Sequence, residues 1–114
     1  MTSTPDHSVT DLQELGQALL DQARGDGPGR AARTLPHSGA GLRQTLIALR
    51  AGAELAEHES PGTATLQVLR GRTRLIAGEA TVELLAGQLG AIPPRRHSLH
   101  ADEDAVVLLS VVHG

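Results

Sequence analysis

An all-β jelly roll or related barrel with one N-terminal amphipathic helix is the fold class that the sequence predicts, and three observations predict it. From Leu42 onward, seven or eight short runs of aliphatic and β-branched residues are cut at close intervals by turn residues. Before them a single stretch, 11–24, carries helical periodicity, and nothing alternates helix with strand as βαβ units do. Phe, Tyr and Trp are absent, so Leu, Val, Ile and Ala must fill the interior, which favours many thin strands over a few bulky anchors. The expected organisation is a tail, helix and Gly/Pro linker over 1–29, followed by one β-barrel over 30–114.

The elements follow in order. Residues 1–9 are polar. Thr10-Asp-Leu-Gln13 has the form of a capping box, and Leu12, Leu15, Leu19, Leu20 and Ala23 share one face until Gly25-Asp-Gly-Pro-Gly29 ends the run. A lone helix of this length is marginal in water, so its leucine stripe is expected to dock on the barrel or across a subunit boundary. The stretch from Gly25 to Gly29 lacks the lysine and preceding strand of a phosphate-cradling loop and reads as a linker. A short strand over 31–35 breaks at Pro36-His-Ser-Gly39-Ala-Gly41. The next runs over 42–50, with Gln44, Leu46 and Ala48 on one face and Thr45, Ile47 and Leu49 on the other; the sequence does not say which looks inward.

A six-residue extended run then climbs from a turn at Gly52 to one at Pro61-Gly62 and delivers His58 to one face of an antiparallel sheet. Thr63–Arg70 is closed by Gly71, and Arg72–Ala77 and Ala80–Leu85 flank Gly78-Glu79, a two-residue hairpin signal. Residues 88–92 form a further strand that stops at Pro93-Pro94, because proline cannot continue a central ladder. His97–Ala101 and Ala105–Val112 complete the set around Asp102-Glu-Asp104. That acidic triplet reads as a solvated turn, since it lacks the spaced further ligands of a calcium loop.

Composition excludes several function classes. A chain of 114 residues is one domain that can bury a core without staples. It has no cysteine, hence neither disulfides nor thiolate chemistry. The net charge is −3, all ten positive side chains are arginine, and no aromatic platform exists, which together argue against a nucleic-acid surface. No apolar run reaches the length of a membrane span, and the N-terminal residues lack the basic and apolar regions of a signal peptide. The expectation is a cytoplasmic protein with no nucleic-acid or membrane partner.

The spacing Gly52-x5-His58-x-Ser60-x3-Ala64-x6-Gly71 resembles the first cupin motif, G-x5-H-x-H-x3-E-x6-G, and Gly87-x5-Pro93 opens like the second, G-x5-P-x-G-x2-H-x3-N. The fifteen residues between Gly71 and Gly87 match the shortest insert between motifs in that family. The resemblance spans roughly 41–112 and implies a small single-domain cupin with a cupin-type jelly-roll barrel. It also implies where metal ligands would stand: two histidines and a glutamate in the first motif and a histidine in the second. Here His58 holds the first histidine place, while Ser60 and Ala64 hold the second and the glutamate place. Counting rigidly from Pro93 puts Arg95, Ser98 and Asp102 at the glycine, histidine and asparagine. Removing one residue from the turn puts His97 at the histidine instead, and this alignment keeps the register of the terminal apolar strand.

Two imidazoles alone are a poor metal site, since catalytic zinc usually has three protein ligands and structural zinc four. Glu57 and Glu59 flank His58 but point to the opposite face of a regular strand unless a bulge intervenes, and His100 meets the same objection relative to His97. Ser98 faces away from His97, which excludes a hydrolytic triad there. His7, His37 and His113 fall in loop or terminal segments and read as surface residues. Arg95-Arg96 at the barrel mouth could attract an anion or merely solvate a turn. The candidate ligand-binding residues are therefore His58, Ser60, His97 and Gln44, and the candidate metal ligands are His58 and His97.

The expected function is binding of a small organic molecule in a leucine-lined barrel, with the metal site lost or weakened, so that any divalent ion (Zn, Ni, Fe or Mn) is weakly held or absent. Two other readings stay open. One is a metal-dependent cupin enzyme of dioxygenase, isomerase or cyclase type using His58 and His97. The other is a small-molecule-sensing regulatory module acting with a partner. A leucine stripe and an apolar last strand over 106–112 predict a homodimer.

Overall fold

A computed structural model of the chain describes residues 9–25, 27–37, 39–59 and 62–113. The helix α1 (Leu12–Gly25) begins where Asp11 Oδ1 accepts the amide of Glu14 at 3.0 Å. The cap is thus Asp11 with Glu14 three residues on, one residue later than the Thr10–Gln13 box, and the acidic first turn faces the positive end of the helix dipole. Nine strands follow: β1 (Arg30–Thr34), β2 (Leu42–Leu49), β3 (Glu54–His58), β4 (Thr63–Arg70), β5 (Arg72–Ala77), β6 (Ala80–Leu85), β7 (Leu89–Ala91), β8 (His97–Ala101) and β9 (Ala105–Val112). Strand β7 is shorter than the expected 88–92. Gln88 closes the preceding turn, its amide donating to Leu85 O at 2.9 Å and its Oε1 accepting from Leu85 N at 2.8 Å.

The strands form two sheets, β1-β2-β9-β4-β7 and β3-β8-β5-β6, and the pairs that build them are antiparallel. Neighbours in space are seldom neighbours in sequence, which is the jelly-roll arrangement. Between the sheets lies one aliphatic core that includes Ile47, Leu49, Leu66, Val68, Leu75, Leu99 and Val107. A second core lies on the outer face of the larger sheet, where Leu19, Leu20 and Ala23 of α1 cover Ala31, Leu46, Ala48 and Val106.

Strand β2 is therefore buried on both sides: Thr45, Ile47 and Leu49 share the inward face, and Gln44, Leu46 and Ala48 share the face beneath the helix. The helix docks within its own chain. Each fully covered leucine contributes on the order of 1.5–3 kcal/mol relative to exposure, and Gly16 lets the helix approach so closely that a Cβ there would stand 3.0 Å from Val106 Cγ1.

The acidic turn after β8 is not merely solvated. Arg74 pairs with Asp102 at 3.0 Å, Arg72 with Glu103 at 3.7 Å and Arg24 with Asp104 at 2.7 Å. Asp104 is the most constrained of the three, because its Oδ1 also accepts the amide of Ala51 at 2.8 Å. That amide first, and the Arg24 guanidinium next, hold its carboxyl below the usual carboxylate range. Gly71, with φ +85°, gives the turn room, since a Cβ there would collide with the carbonyl oxygen of Asp104.

Candidate functional site

The smaller sheet brings His58 and His97 together. Leu55 is opposite Leu99 in the β3–β8 pair, but His58, three residues later, is opposite His97, two residues earlier, so β3 carries one extra residue between them. This is a β-bulge, and it overrides the strict alternation assumed from sequence. Leu55 packs against the inter-sheet core, and the His58 ring meets the His97 ring at a centroid distance of 4.5 Å and an interplanar angle of 63°. His97 is buried, with 4% of its surface exposed, whereas His58 is exposed at the rim.

Backbone carbonyls fix the chemistry of both rings. His58 Nδ1 lies 2.8 Å from Ala56 O, and His97 Nδ1 lies 2.9 Å from Arg95 O. A carbonyl oxygen only accepts, so in each neutral ring Nδ1 carries the proton and Nε2 keeps its lone pair. Two neighbouring imidazoles are thus set in one tautomer, each ready to accept from an O–H or N–H group or to donate to a metal. Orientation through Nδ1–H to a carbonyl is the usual support of a metal-bound histidine.

Among the described residues the other donors near the pair are engaged elsewhere. Among the described residues no group of three His, Cys, Asp or Glu side chains could hold one. Ala64, where the cupin frame would have glutamate, is buried in the aliphatic core. Ser60 lies outside the described residues. Glu57 and Glu59 both engage Arg96, at 3.0 Å each; the Glu57 carboxylate first and Glu59 second push that guanidinium further up. His100 and Ser98 lie away from the pair, on the other side of β8: Ser98 Oγ is 3.2 Å from His100 Nε2, and His100 Nδ1 is 3.2 Å from Glu54 Oε2. Gln44 does not join the histidines either. It shares the face of Leu46 and Ala48, and its Nε2 donates to Ser110 Oγ, its cross-strand partner, at 3.0 Å.

Next to the pair, an apolar cavity of about 290 Å³ opens along β5, β6 and β7, lined by Leu75, Ala77, Val82, Leu84, Pro93 and Arg95 among others. Extending the β5–β8 register one residue beyond Ile76 opposite Ser98 sets Ala77 opposite His97, so this wall adjoins the buried imidazole. Sequence reading missed Leu75, Val82 and Leu84 as a lining. Their alternation along two strands joined by the Gly78-Glu79 turn was the available signal.

No family model matches the chain, and no curated protein sequence is significantly similar to it. Solved structures do match. The two-sheet jelly roll is the cupin fold: a cupin superfamily protein from Desulfitobacterium hafniense shares it at 14% identity, covering 75% of this chain and 78% of the other, TM-score 0.68. A conserved protein of unknown function from Streptococcus pyogenes is 30% identical, with 78% of each chain covered and a TM-score of 0.68; the two belong to one family. The salicylate 1,2-dioxygenase of Pseudaminobacter salicylatoxidans is 24% identical over 86% of this chain, TM-score 0.71, but the match covers 33% of the dioxygenase. Among the described residues no helix is long and apolar enough to cross a membrane.

Proposed function

We propose that this chain is a small-molecule-binding cupin that works without a permanently held metal. The observation that carries the reading is the His58–His97 pair, two imidazoles in contact, each with Nδ1 on a backbone carbonyl and Nε2 clear of it, beside an apolar cavity. Such a site offers two acceptors and a hydrophobic wall, the usual make-up of a ligand pocket. A divalent ion held by two neutral rings would keep its full charge next to an aliphatic interior, an arrangement that low dielectric penalises unless a ligand completes the shell. The test is elemental analysis of protein purified without a metal-affinity tag, followed by calorimetric titration of nickel and zinc into wild type, His58→Ala, His97→Ala and the doubly restored Ser60→His with Ala64→Glu. Weak or undetectable binding by wild type and clear binding by the restored variant are expected. Stoichiometric metal in the purified protein would overturn the reading.

A second reading, a metal-dependent enzyme, draws on the likeness to a dioxygenase and on the metal-compatible tautomers of both rings. In it, Zn, Ni, Fe or Mn would bind His58 and His97 together with a chelating substrate. We also propose a homodimer. Leu42 and Val112, directly opposite in the β2–β9 pair, are both exposed, as is Leu89, and a second copy would cover part of this apolar surface. Light scattering should give twice the chain mass.

A further inference from the structure

Building on the small-molecule reading, we infer that the cavity beside the histidine pair takes a small organic acid, whose carboxylate is held by Arg95 and whose apolar body lies against Leu75, Val82 and Leu84. The adjacent arginines of the turn before β8 have opposite fates. Arg96 is spent on Glu57 and Glu59. The Arg95 guanidinium has no hydrogen bond or ion pair among the described residues, although it belongs to the lining of a cavity whose other residues are Leu, Ala, Val, Gly and Pro.

The side chain also folds back over the protein. Its Nη1 stands 3.8 Å from where a Cβ of Gly78 would lie, which places the charge above the β5–β6 turn at the edge of the cavity. Among the described residues no carboxylate lines the cavity, so an incoming anion meets one positive fork there. A guanidinium presents paired N–H donors that match a carboxylate in two-point geometry. At about 290 Å³ the cavity lies near the small end of ligand sites, which limits the occupant to a single ring or a short chain.

The site is coupled to the histidines through the backbone. The carbonyl of Arg95 accepts from His97 Nδ1, so the residue that would hold the acid group also sets the tautomer of the nearest imidazole. An acid with a hydroxyl or amine along its body would have its carboxylate at Arg95 and a donor directed toward an Nε2 acceptor.

Hexanoate and its neutral isostere hexanamide are the probes, followed by calorimetry and by the backbone amide NMR signals of Leu75, Val82 and Leu84. Hexanoate should bind wild type more tightly than hexanamide does. Arg95→Gln should weaken the acid about tenfold or more while leaving the amide unchanged, as expected for loss of a charged hydrogen bond. Arg95→Lys should retain part of the preference. Arg43→Gln, which removes an equal charge from an exposed position on β2, should change neither probe. Equal binding of acid and amide, or an acid affinity indifferent to Arg95→Gln, overturns the anion anchor and leaves the small-molecule reading standing. If neither probe moves the cavity amides, the cavity itself is refuted as the ligand site, and the histidine pair is judged separately by its own titrations.

Discussion

The outer layer, where α1 covers β1, β2 and β9, contrasts with the rim of the smaller sheet, where β3 meets β8. The outer layer is closed by aliphatic residues: Leu19, Leu20, Leu46 and Ala48 leave no more than 2% of their surface exposed, and the Arg24–Asp104 pair ties the helix end to the turn before β9. The rim closes nothing. It holds two imidazoles, a carbonyl for each, and an arginine whose charge has no partner among the described residues. The helix layer and the histidine rim therefore share no side chain, and changing one should leave the other intact.

The largest effect that would sharpen this contrast is Leu20→Ala. Leu20 is wholly buried, and removing its side chain should cost about 2–5 kcal/mol in a denaturant melt, with the imidazole signals of His58 and His97 unmoved in the folded fraction. Altered imidazole signals would show that the two regions are coupled. Gly71→Ala is next. It forces a Cβ onto a positive φ and against Asp104 O, and a loss of about 2 kcal/mol is expected.

A smaller effect concerns Asp104. Its folded-state carboxyl titrates below the unfolded value, held down by the Ala51 amide and Arg24. Stability from this group is thus fully present above the unfolded pKa and is lost as pH falls through the folded one. Melting temperatures followed from neutral pH down through the carboxylate range should fall more for wild type than for Asp104→Asn, which should itself cost about 1 kcal/mol at neutral pH. Parallel curves would remove Asp104 from the account. The smallest effect is spectroscopic: at alkaline pH, nitrogen NMR should find the proton of both His58 and His97 on Nδ1. A proton on Nε2 of either ring would contradict the carbonyl contacts.

Much of the fold was legible because turns betray strands. Gly71, the Gly78-Glu79 pair and the 102–104 triplet bracket β5, β6, β8 and β9 at the expected residues. The inward face of β2 was not legible, since both of its faces are covered and alternation carries no information when neither side is wet. Nor was the pairing of Asp102, Glu103 and Asp104 with arginines, because partners 28 to 80 residues apart leave no local signature. At the site, the glycine and proline frame pointed to His58 and His97, and the structure sets their rings in contact. Gln44 was chosen from its polarity alone, and the strand turns it toward Ser110. The bulge in β3 entered only as a condition on Glu57 and Glu59, because Ala56 and Glu57 are ordinary strand residues.

That bulge acts as a selector. Were β3 regular beyond Leu55, the residue opposite His97 would be Glu57, and the rim would hold an imidazole beside a carboxylate instead of two imidazoles. One peptide unit of slack therefore decides whether an imidazole or a carboxylate meets His97, while Arg96 grips Glu57 and Glu59. The chain keeps an acidic ligand in reserve a single residue away from the position it would need.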